Sequence, residues 1–116
     1  MRNKLKTALE ATGYSWAHYG WSHAPDGDYG TWGEERARDL EADDVHAETA
    51  TICFVSYFTR DDSGEPRRAI ERALNALRIP WKLSGIDYEE DTGYIHYSWY
   101  CTVLGEEADD DADGQS

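Results

Sequence analysis

At 116 residues, with 40% hydrophobic and 13% aromatic content, the chain has the size and composition of one globular domain. Acids outnumber bases 24 to 11, a net charge of -13 that disfavours binding to the phosphates of nucleic acids and membranes. No apolar run approaches the length of a signal peptide or membrane span, so a soluble intracellular product is expected.

The first expected element is a short helix over RNKLKTALEAT, where Leu5 and Leu9 lie one turn apart and Ala8 joins their face. Gly13 is placed to stop it. Tyr14 to Trp21 has strand composition, with Tyr14, Trp16 and His18 on one face and Ala17, Tyr19 and Trp21 on the other. HAPDGDYG is turn chemistry centred on Pro25, Asp26 and Gly27. A short strand is expected near Tyr29 to Glu35. The next stretch, Glu34 to Glu48, is strongly charged, and Leu40 and Val45 are its large apolar residues. It reads as a loop feeding the following strand. An extended arm, or a helix around Arg36 to Ala42, is the alternative.

Ala50 to Thr59 carries the strongest strand signal. Ile52, Phe54 and Phe58 alternate on one face, and Cys53, Val55 and Tyr57 on the other. Apolar residues on both faces imply a central strand covered on both sides, or one whose outer face meets another subunit. Asp61 to Gly64 ends it. Pro66 suits the first turn of a helix over Glu65 to Leu77, in which Ile70, Leu74 and Leu77 form an i, i+4, i+7 stripe beside Ala69, Ala73 and Ala76. Trp81 to Tyr88 and Tyr94 to Leu104 read as a hairpin turning at EEDTG. Residues 1–105 thus form a single α+β domain. Residues 106–116 carry six acids, no base and no large apolar side chain, and are expected to be a disordered acidic tail dispensable for folding.

Few residue patterns suggest reactive chemistry. His18, His23, His46 and His96 lack the spacing of a zinc site. The acid pairs Asp43–Asp44, Asp61–Asp62 and Glu89–Glu90 read as solvated surface, although paired carboxylates can do acid–base work. Gly27, Gly30 and Gly33 are three apart but lack the lysine and following helix of a phosphate loop. Cys53 and Cys101 both fall in expected strands and read as buried free thiols; a disulfide requires those strands to be neighbours. The reading is therefore of a protein with no catalytic residue, no cofactor and no metal, and not an enzyme.

The order of motifs from Ala42 to Val103 resembles the small tail-completion, or tail terminator, proteins of long-tailed phages and prophages. The pattern begins with Ala42-Asp43 in a charged segment. About sixteen residues later comes a strand ending in an aromatic and a threonine, Tyr57-Phe58-Thr59. An acidic turn and a helix rich in Glu, Ile and Leu follow. Ile79-Pro80-Trp81 and a turn at Tyr88-Glu89-Glu90 then lead into the Tyr-rich strand Tyr94 to Tyr100. Where the family has a glycine before its Ile strand, this chain has Arg78.

The resemblance implies a mixed, mostly antiparallel sheet with two helices on one face. It also implies a homo-oligomeric ring, a hexamer by likeness to the family, that caps the tail tube. Its partners would be the tail-tube protein and the head–tail connector, with no membrane and no direct nucleic-acid contact. Such a protein would assemble in the host cytoplasm and reside in the virion tail. Ala42, Asp43, Asp44 and Val45 are the candidate interface residues. The alternative function is an acidic inhibitor or DNA mimic that occupies a basic partner.

Overall fold

The computed structural model describes residues 2–40 and 48–104. In chain order they form α1 (Arg2–Glu10), β1 (Trp16–His18), β2 (Tyr29–Leu40), β3 (Glu48–Thr59), α2 (Glu65–Ala76), β4 (Trp81–Tyr88) and β5 (Ile95–Leu104). The five strands make one mixed sheet in the order β1-β2-β3-β5-β4. Its pairs are antiparallel except β1 with β2. The fold is α+β, as the sequence leads one to expect. The expected tail, residues 106–116, lies outside the described residues.

Burial of one face organises the molecule. Cys53, Val55 and Tyr57 of β3 and Tyr97, Trp99, Cys101 and Val103 of β5 point the same way. Leu5 and Leu9 of α1 and Ile70 and Leu74 of α2 cover them, and all four are fully buried. Both helices therefore lie on one face of the sheet. α2 carries the chain from the end of β3 to the outer strand β4, and β5 returns between them. Trp99 is fully buried, and its indole N–H donates to Glu71 Oε2 at 3.0 Å. Arg67 Nε donates to the same oxygen at 3.0 Å. The carboxylate thus fastens α2 to the sheet and satisfies a polar group that is costly to bury unpaired.

Two features depend on unusual backbone positions. Gly30 of β2 lies under the Trp16 ring, which occupies the space a Cβ would fill, and Ser56 O is also within contact of that space. This close approach packs Trp16 against Tyr57, ring centroids 5.5 Å apart. After α2, Arg78 adopts φ 61, the left-handed region that favours glycine. Its N–H donates to Asn75 O at 3.0 Å to close the helix.

Two expectations are corrected. Glu34 to Glu48 does not read out as a loop from its start: β2 continues through Leu40, paired with β3 as far as Glu48. A helix around Arg36 is excluded for the same reason. The charged stretch lacks apolar alternation, but backbone N–H and C=O groups pair regardless of side chain, and the long β3 supplies their partners. A bulge at Glu35 shifts the register between the two halves. The expected strand over Tyr14 to Trp21 is also shorter, reduced to Trp16–His18, because Tyr19 turns to φ 71 and leaves the ladder.

Leu74→Ala should cost about 2–5 kcal/mol, since it removes transfer free energy and leaves a cavity between α2 and the sheet. Chemical denaturation of the variant checks this, and an unchanged midpoint would contradict the packing.

Candidate functional site

The second face of the sheet is the most distinctive surface. Among the described residues, no helix covers it. Strand register sorts its side chains into rows running across the strands. The first row is Tyr29, Phe58 and His96, directly opposed on β2, β3 and β5. Their rings are stacked, with centroids 4.8 Å apart for Tyr29 and Phe58 and 4.1 Å for Phe58 and His96. Tyr94 abuts Tyr29 and Phe58 edge-on. Its hydroxyl donates to the carbonyls of Asp26 and Gly27, and Arg60 lies 4.1 Å over its ring. The loop before β2 is thereby pinned to this end of the face.

The next row is small and polar: Thr31, Ser56, Ser98 and Gly85. Beyond it Phe54 and Tyr100 form a second aromatic row ending in Lys82. The Tyr19 ring packs there against Gly33 and Phe54. The face is therefore a shallow trough between two aromatic rows. Past the second row, a cavity of about 610 Å³ opens among Glu35, Ile52, Trp81, Lys82, Tyr100 and Thr102. Phe54, Phe58 and Ile52 are half-buried, and Tyr100 is 42% exposed. Side chains of this kind, arranged as a surface, suit protein–protein contact.

The ionisable groups have structural settings. His18 Nε2 and the Tyr19 hydroxyl both reach Glu34 Oε1, at 2.8 and 2.9 Å. Burial pushes the Glu34 carboxyl up, but these hydrogen bonds outweigh it and hold it below the usual range. On the helix-covered side, Asp28 Oδ2 accepts from Thr59 Oγ1 at 2.7 Å and from the Tyr57 hydroxyl at 3.3 Å. Burial, reinforced by the Asp28 charge, pushes the Tyr57 phenol far up, so it remains a hydrogen-bond donor.

The residues singled out in the sequence fall in separate places. His18 ends the edge strand β1, His23 lies in the connection from β1 to β2 and His96 on the trough, while His46 lies outside the described residues. Among the described residues, no group of three or more His, Cys, Asp or Glu side chains is placed to hold a metal ion. Gly30 and Gly33 sit in β2 and admit aromatic rings. Asp61 turns the chain into α2, accepting from the Ser63 N–H at 2.9 Å. The candidate interface residues Ala42, Asp43, Asp44 and Val45 also lie outside the described residues, in the segment joining β2 to β3. Sequence alternation pointed to the apolar second face of β3. The stacked row did not show, because Tyr29, Phe58 and His96 meet only through register.

In comparisons with known proteins, the chain matches no family model and no curated protein shows significant sequence similarity to it. No helix among the described residues is long and apolar enough to cross a membrane.

His96 gives the face a pH signature. Burial against Phe58 lowers its pKa below the ordinary 6.5, and the charges of Glu89 and Asp87 only partly offset this. The unfolded chain therefore takes up this proton more readily than the folded one. The His96 contribution is complete above about pH 6.5 and is lost as pH falls through the lower folded value. Melts of wild type and His96→Phe from about pH 8 to about pH 5 should show wild type losing more stability on acidification. Parallel curves would contradict this setting for His96.

Proposed function

We propose that this protein is a structural component of a phage tail, a terminator that caps the tail tube as a closed ring. The observation that carries the reading is the aromatic trough, an apolar sheet face with no helix over it among the described residues. A ring needs each protomer to offer one surface to a different surface of the next, repeated around a rotation axis. The trough is built on the central strands β3 and β5 and their neighbour β2. The motif order that resembles tail terminators supports the same reading. Tyr57-Phe58-Thr59 ends β3, Ile79-Pro80-Trp81 enters β4, and Tyr94 to Tyr100 runs into β5.

The mechanism is geometric. The ring docks on the last ring of the tube, blocks further tube growth and presents its other side to the head connector. Ala42 to Val45, between the long strands β2 and β3, are assigned by the resemblance to these contacts. The charge of -13 keeps free protomers apart and soluble until a partner surface is present. Binding to the tube then favours the ring by mass action, even where the isolated protein is a monomer.

Purified protein mixed with assembled tail tubes from the same genome should cap one tube end in electron micrographs. Reversing the charge of Asp43 and Asp44 to Lys should weaken capping without lowering the melting temperature. Decoration along the tube wall, or no binding to tubes, would overturn the assignment. Tight binding to a basic partner instead would favour an acidic inhibitor.

A further inference from the structure

We propose that Cys53 and Cys101 form a modification site, closing under oxidation to an intramolecular disulfide that joins the two central strands β3 and β5. The register makes them direct partners across the antiparallel pair. Both side chains lie on the helix-covered face, 0% and 1% exposed, and both are free thiols. Directly opposed residues on antiparallel strands have Cα atoms about 4.5 or 5.5 Å apart, depending on whether the pair exchanges backbone hydrogen bonds. Either spacing falls within the range of about 4.4–6.8 Å that disulfides span. Opposed Cβ atoms lie about 4.5–5.5 Å apart and a disulfide draws them to about 3.5–4.5 Å, so the bridge asks for a local closing of about 1 Å and no change of register.

Other outcomes of oxidation are disfavoured by the surroundings. Val55, Trp99 and Val103 are fully buried along the same two strands, so a second molecule cannot bring a thiol to the pair while the sheet is closed. The same burial makes the reaction slow. Hydrogen bonding with Cys53, together with burial, pushes the Cys101 thiol up, and the thiolate is the nucleophile. Oxidation accordingly proceeds when the strands open or while the chain folds. In a reducing compartment the pair stays as two thiols; in an oxidising one it closes.

With hydrogen peroxide as oxidant the step balances. One thiol sulfur attacks a peroxide oxygen, the O–O bond breaks, and sulfenic acid and one water form. The second sulfur attacks the sulfenic sulfur, the S–S bond forms, and the hydroxyl leaves as water with the second thiol's proton. Two sulfurs are oxidised and one peroxide is reduced. The resulting loop contains α2 and β4, and long loops gain most from such closure because the unfolded chain is the state constrained. This inference is independent of the proposed phage role.

The full chain, dilute and folded, should be held with hydrogen peroxide just below its melting temperature, where the strands open locally, then denatured and mapped by mass spectrometry. The expected product is monomeric and lighter by two hydrogens. It carries one linked peptide pair joining Cys53 to Cys101, and melts several degrees higher until dithiothreitol restores it. Cys53→Ala and Cys101→Ala should each lose both the mass change and the rise in melting temperature. If neither variant folds, the linked peptide pair in wild type carries the test. Unreacted thiols, separate sulfinic acids or disulfide-linked dimers would overturn the proposal.

Discussion

β3 is apolar on both faces, and the rest of the molecule is arranged around that constraint. Its inward residues, Cys53, Val55 and Tyr57, need a cover. α1 and α2 supply it, burying Leu5, Leu9, Ile70 and Leu74 against them. Each such side chain contributes about 1.5–3 kcal/mol when fully buried. The helices depend on this contact in return. α1 has nine residues and α2 twelve, too short to persist in water on propensity alone. The Glu71 carboxylate adds direction to the packing, because it joins α2 to the indole of Trp99 at the sheet centre.

The outward residues of β3 create the functional question. Ile52, Phe54 and Phe58 cannot be made polar by any rearrangement of the described residues, since a one-residue slip would expose Cys53, Val55 and Tyr57 instead. Cross-strand stacking limits their exposure. Tyr29 and His96 close over Phe58 from either side, and Tyr19 and Tyr100 flank Phe54. What results is a ridged surface on the central strands. A face of this kind suits one protomer docking on the next, and that is the physical basis on which the ring proposal rests.

Strong periodicity made much of the fold legible in the sequence. The stripe of Ile70, Leu74 and Leu77 announced α2, alternation announced β3, and Gly93 between two aromatic runs announced the β4–β5 hairpin. The second half of β2 was hidden because its charged side chains carry no alternation; its strand state comes from backbone pairing with β3. Tyr19 leaving the ladder at positive φ was equally invisible, as no local residue pattern marks it. The candidate site divides the same way. The apolar second face of β3 was readable residue by residue. The stacking of His96 on Phe58 and the opposition of Cys53 and Cys101 were not, because each joins strands separated by α2 and β4 in the chain.

The proposed ring requires that a neighbouring copy of this chain cover the aromatic trough. Hydroxyl-radical footprinting read by mass spectrometry tests it most directly. Phe54, Phe58 and Tyr100 should be labelled in the free protein and protected when the protein is bound to tail tubes, while the exposed Tyr88 on β4 serves as a comparison site. Equal labelling of Phe54, Phe58 and Tyr100 in the free and tube-bound protein would contradict the claim.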